Sequence, residues 1–127
     1  ATYLIGLFRD VSAIPSLIGV LERKERALLD VAEAALSEIT KQRFGANARK
    51  WRSWLKKNEH RNRIEWLIDG LASKDHALRK SACEELRAVT GKSFGFDPEA
   101  PRRQRDRARH AWLEWWQDQE REASVQG

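Results

Sequence analysis

The chain has 127 residues, 41% of them hydrophobic and 34% charged, which is enough to bury one core and too well mixed for a collagen-like or disordered class. Cys83 is the lone cysteine, so an internal disulfide framework and a cysteine-rich metal site are excluded, and the longest uncharged apolar stretch, Val11 to Leu21, is too short to cross a bilayer. The net charge of +5 arises from 24 basic and 19 acidic residues.

The chain begins at Ala1 and contains no methionine. Ala1 to Phe8 are apolar from the start, without a cap residue or a basic leader region, and read as the last turns of a helix whose beginning lies upstream. We therefore expect a piece of a longer polypeptide. The compartment is left open, with the cytoplasm favoured, and a helix cut at Tyr3 to Phe8 would present an apolar edge capable of self-association.

From Ile14 onward the sequence repeats. Shifting it by 50 residues lays Ile14–Asn47 over Ile64–Asp97 without a gap, and twelve of the 34 pairs are identical, among them Ile14/Ile64, Ile18/Ile68, Leu28/Leu78, Ala32/Ala82, Leu36/Leu86, Thr40/Thr90, Phe44/Phe94 and Gly45/Gly95. Within each copy, apolar residues at relative positions 1, 4, 5 and 8 predict a short helix, Ile14 to Leu21 and Ile64 to Leu71. Short turns follow. A second helix is predicted from about Glu25 to Thr40 and, capped by Asp75, from about Asp75 to Thr90. Its inward face is expected to carry Leu28, Ala32, Leu36 and Ile39, matched by Leu78, Ala82, Leu86 and Val89. Such a hairpin is too small to bury its own face and has to stack on a neighbour.

Asp75-His76-Ala77-Leu78-Arg79-Lys80-Ser81-Ala82-Cys83-Glu84-Glu85-Leu86 resembles the second helix of a bacterial HEAT repeat, whose usual form is D-P-E-V-R-R-A-A-A-E-A-L, with Asp75 and Arg79 on the family's ladder positions. Ala1 to Pro15 resembles the joint between one such repeat and the next, with Gly6, Asp10, Ala13, Ile14 and Pro15 in place. Leu29 stands where the ladder arginine of the first copy would be, which interrupts a continuous Asp–Arg ladder. The resemblance implies an all-α fold, a HEAT-like helical repeat solenoid in which stacked hairpins form a right-handed superhelix. One repeat domain, 1–127, would then comprise the end of a preceding repeat (1–13), repeat one (14–63), repeat two (64–121) and a frayed tail (122–127).

Both copies continue with Thr-x-x-x-Phe-Gly, Thr40 to Gly45 and Thr90 to Gly95, where the glycine predicts a left-handed turn. The phenylalanine is expected to fold back onto the helix end. A third helical segment carries Trp51, Trp54 and Leu55 in copy one and Trp112, Trp115 and Trp116 in copy two, at an offset of 61; copy two therefore holds 61 minus 50, or 11, extra residues, centred on an ordered loop at Asp97 to Pro101. The string Val89 to Pro98 followed by Trp112 to Trp116 resembles an elaboration of some large bacterial HEAT-repeat proteins, a group without a defined common activity. The tryptophans could stack on bases, but their recurrence beside Phe44 and Phe94 favours a repeated packing device, with Trp116 the most exposed.

Charge is segregated. Lys41 to Arg63 carries nine basic residues and Glu59, or +8, Arg102 to Arg109 carries five arginines and Asp106, or +4, and the remainder carries 5 minus 12, or −7. Both basic stretches fall on or beside the third segments and are candidates for nucleic-acid binding through Lys50, Arg52, Lys56, Lys57, Arg102, Arg103, Arg105 and Arg109. Arginines at a helix start oppose its dipole, a placement that argues for a binding role. The resemblance puts the second helices on the concave side of a solenoid, where Asp30 and Ser37 match Lys80 and Arg87, with Glu84 between. This mixed face favours a protein ligand.

No cofactor is expected, nor a metal: His60, His76 and His110 fall at three different stages of the repeat without ligand spacing. Cys83 reads as a small buried hydrophobe. Glu84 and Glu85 are adjacent, so on a helix they point apart, and no phosphate-binding glycine loop, nucleophile elbow or HExxH pattern occurs. The leading expectation is a protein–protein interaction scaffold without catalysis of its own. The alternative is a nucleic-acid-binding module, similar to the DNA glycosylases that use HEAT-like helices.

Overall fold

The computed structural model describes residues 11–126, with side chains through Ser124. The expected joint at Ala1 to Asp10 and the cut helix at Tyr3 to Phe8 lie outside the described residues. After a 3-10 turn at Val11–Ala13 come α1 (Ile14–Arg23), α2 (Arg26–Thr40), α3 (Ala48–Asn58), α4 (Arg63–Gly70), α5 (His76–Thr90) and α6 (Arg102–Gln126), with no strand among the described residues. The chain divides between Arg63 and Ile64 into two compact units.

In the first unit Pro15 sits in the first turn of α1, where its missing N–H has no partner to lose. Lys24 closes α1 in the left-handed region, φ 55°, and returns its N–H to the Leu21 carbonyl at 3.2 Å. The chain reverses, and α1 packs against both α2 and α3. Ile14, Ile18 and Leu21 of α1 are buried, as are Ala32, Ala35, Leu36 and Ile39 of α2 and Trp51 of α3. Alanines at 32 and 35 remove the bulk that would hold paired helices apart.

The second unit gathers Leu67 and Ile68 of α4, Leu71 just after it, Ala82, Cys83 and Leu86 of α5, Phe96 of the following loop, and Ala108 and Trp112 of α6 into one core cluster. Asp75 caps α5 by accepting from the N–H groups of Ala77 and Leu78, at 2.9 and 3.2 Å.

The Thr-x-x-x-Phe-Gly tails begin alike and differ at the phenylalanine, since Phe94 is left-handed, φ 52°, and exposed where Phe44 is half-buried. Thr40 donates its hydroxyl to the Leu36 carbonyl at 2.7 Å and accepts from the Gln42 N–H at 3.2 Å; Thr90 does the same with Leu86 and Lys92, at 2.6 and 3.1 Å. The residues that follow, Lys41 and Gly91, are both left-handed, φ 58° and 73°, and both close their helix on the carbonyl four residues back. Gly45 and Gly95 are left-handed too, as the glycines predicted. Phe44 then meets Trp51 edge-on with centroids 4.8 Å apart, and Phe94 meets Trp112 at 4.7 Å.

Two expectations are corrected. Leu28 and Val89 do not face inward: they are 45% and 65% exposed. Leu28 lies in the first turn of α2 and Val89 in the last turn of α5, and periodicity sets the angle of a side chain about the axis without setting whether a neighbour reaches that far along it. α6 runs to Gln126, with no glycine or proline to interrupt Arg102–Gln126.

Candidate interaction surfaces

The exposed side of α2 is partly apolar. Ala27, Leu28, Val31 and Ala34, spaced i, i+1, i+4 and i+7, all face solvent, flanked by exposed Arg26 and Asp30. Sequence reasoning took Leu28 as core and did not single out Val31; the alternative signal was an apolar stripe wider than one packed face needs. Of the residues expected to bind a protein partner, Asp30 is exposed beside this stripe, while Lys80, Glu84 and Arg87 form an exposed row on α5 at i, i+4 and i+7. Ser37 does not join them. It is buried, and its hydroxyl meets no hydrogen-bond partner among the described residues.

The two basic segments differ in how much of their charge is used internally. In the first, Lys41 is buried with its ammonium 3.2 Å from a Glu38 carboxylate oxygen. Arg52 grips Glu22 with two nitrogens, one bond measuring 2.7 Å, and this contact holds the Glu22 carboxyl below its ordinary range and raises the guanidinium. Arg63 donates to the Ile39 and Glu38 carbonyls at 3.1 and 3.2 Å. Arg49, Lys50, Lys56 and Lys57 remain on the outer arc of α3, exposed, with Ser53 between them and no carboxylate on the helix.

In α6 two of the five arginines, Arg105 and Arg109, are half-buried and engaged, while Arg102, Arg103 and Arg107 are exposed. Arg105 donates to the Ala100 carbonyl at 2.9 Å, Arg109 lies 3.8 Å from Asp69, and Arg102 lies 3.9 Å from Asp106. Only Arg103 and Arg107 of this group make no ion pair or hydrogen bond among the described residues. The loop before α6 is ordered as expected, pinned by Arg105 and by Arg79, which donates to the carbonyls of Pro98 and Ser73 at 3.2 and 2.9 Å. A relief lined by Arg102, Arg103, Asp106, Arg107 and His110 belongs to one helix and is surface texture rather than an enclosed cavity.

Trp51 and Trp112 are buried, while Trp54, Trp115 and Trp116 are half-buried, so the recurring tryptophans pack the units. Cys83 is buried in its core cluster, and that burial pushes its thiol pKa up, which keeps it protonated at neutral pH. His60, His76 and His110 are exposed, the latter two beside Glu99 and Glu114. Among the described residues no three His, Cys, Asp or Glu side chains gather where a metal ion could be held, and no helix is long and apolar enough to cross a membrane. Comparison with known proteins finds no matching family model, no matching curated sequence and no matching solved structure.

Proposed function

We propose that the chain is a stretch of HEAT-like solenoid, a right-handed superhelix of stacked hairpins, and that it works as a protein-interaction scaffold with no chemistry of its own. The observation that carries this reading is the α2 stripe of Ala27, Leu28, Val31 and Ala34, an apolar centre with a charged rim of the kind protein partners cover. Equivalent positions support stacking: Leu78 is 5% exposed where Leu28 is 45%, and Ile39 is 0% exposed where Val89 is 65%. Exposed apolar side chains at helix ends suit a unit whose hairpins stack on further repeats. The shared tail, with its threonine back-bond, left-handed close and phenylalanine on tryptophan, fits a unit designed for repetition.

Photo-crosslinking from position 31 in the cells that make the protein tests this. Discrete protein adducts that vanish when Leu28→Lys is added are expected. No protein adduct from position 31, or adducts indifferent to Leu28→Lys, would overturn the reading.

A further inference from the structure

We infer that the outer arc of α3 binds the phosphate backbone of a nucleic-acid duplex without sequence preference. This surface lies on a different helix from the α2 stripe and does not depend on the scaffold reading. Its cations form two neighbouring pairs, Arg49 with Lys50 and Lys56 with Lys57, seven residues apart, which at 1.5 Å per residue separates them by about 10.5 Å along the helix. A duplex presents one negative charge per about 1.7 Å of axis, so such a span faces several phosphates at once.

Three features favour a duplex over other acidic partners. The arc has no exposed apolar side chain to serve as the desolvated centre of a protein interface, and a polyanion needs none, because released counterions supply the driving force. It has no fully exposed aromatic ring for the unstacked bases of a single strand, since Trp51 is buried and Trp54 half-buried. No residue of the helix itself carries a carboxylate, Glu59 standing beyond its last turn and Glu22 meeting its edge only at Arg52, whereas the exposed rows of α2 and α5 mix signs at Arg26 and Asp30, and at Lys80 and Glu84. Arg49 and Lys50 also stand in the first turn, against the helix dipole and with no acidic residue to offset them, a placement that helps no intrahelical interaction. On α6, Arg105 and Arg109 are engaged by the Ala100 carbonyl and Asp69, and exposed Asp106 interrupts the arginine row, which sets α6 apart and concentrates binding on α3.

The test is fluorescence polarisation of labelled 20-base-pair DNA and RNA duplexes between about 50 and 200 mM salt. With one phosphate for each of these four cations, log K against log salt should fall with a slope near −3.6, an affinity loss of about 150-fold over that range. Lys50→Gln, Lys56→Gln and Lys57→Gln together should bring the slope near −0.9, about a 3.5-fold loss, while Lys→Arg at the same positions retains it and separates charge from folding. Arg103→Gln with Arg107→Gln should leave the slope unchanged. The inference fails if neither duplex binds at 50 mM salt, if the glutamine variants keep the full slope, if a single strand of the same sequence binds more tightly, or if poly-glutamate displaces the duplex at equal charge.

Discussion

The indole N–H of Trp51 donates to the Gly45 carbonyl across 2.8 Å, tying the buried anchor of α3 to the left-handed glycine that ends the preceding tail. The ring thus does two jobs, filling the core of the first unit and satisfying a backbone carbonyl that the turn leaves outside any helix. Trp51→Ala should cost about 3–5 kcal/mol. Trp51→Phe keeps an aromatic ring but loses the bond, and should cost about 1–2 kcal/mol more than any volume effect. Urea unfolding followed by far-UV circular dichroism reads both as falls in midpoint at unchanged slope; a Trp51→Phe variant as stable as the wild type would show the bond to be idle.

Lys24 and Gly91 close their helices in the same left-handed conformation, φ 55° and 73°, one with a side chain and one without. A left-handed conformation costs a residue bearing a Cβ about 1–2 kcal/mol, partly offset by the extra freedom glycine has when unfolded. Lys24→Gly should therefore stabilise the protein by about 0.5–1 kcal/mol, and Gly91→Ala should destabilise it by about 1 kcal/mol. A methyl at position 91 meets nothing within 4 Å, so the loss there reports backbone strain rather than a clash. Thermal melts with the same sign for both changes would contradict this account.

The Glu22–Arg52 pair makes a pH-dependent contribution of known sign. Arg52 holds the Glu22 carboxyl below its ordinary value of 4.5, so the folded state binds that proton less readily than the unfolded chain. The contribution is complete above the ordinary carboxylate range and is lost as pH falls through the lowered folded value. The stability gap between wild type and Glu22→Gln should be constant near neutrality and close as the solution is acidified below about pH 4.5. Both side chains are about half exposed, so 1 M salt should close much of the gap at neutral pH as well. A gap that widens on acidification would reverse the assignment.

Cys83 should resist thiol reagents in the folded protein. It is buried, its Sγ lies 4.0 Å from the Phe96 carbonyl, and burial keeps it in the unreactive thiol form. Labelling with a chromogenic disulfide is expected to wait on unfolding and to run to one thiol per chain in urea. Stoichiometric labelling within the mixing time in native buffer would place Cys83 at the surface.

Local pattern by itself determined most of the secondary structure. The stripes at Ile14 to Leu21 and Ile64 to Leu71, the cap at Asp75, the glycines at 45 and 95 and the 61-residue offset of the tryptophans all encode geometry within a few turns of chain, where hydrogen bonding and side-chain spacing are short-ranged. Tertiary structure alone decided which of those residues are covered and which charges are spent. Leu28 and Leu78 have identical positions in the repeat yet differ from 45% to 5% exposure, because burial depends on what reaches a helix end and not on the helix itself. Arg52, Arg105 and Arg109 look no different in sequence from Lys56 or Arg103, but a carboxylate thirty residues away, a loop carbonyl and Asp69 claim them. Net charge adds along a chain; free charge is what remains after the fold has brought distant partners within hydrogen-bonding range.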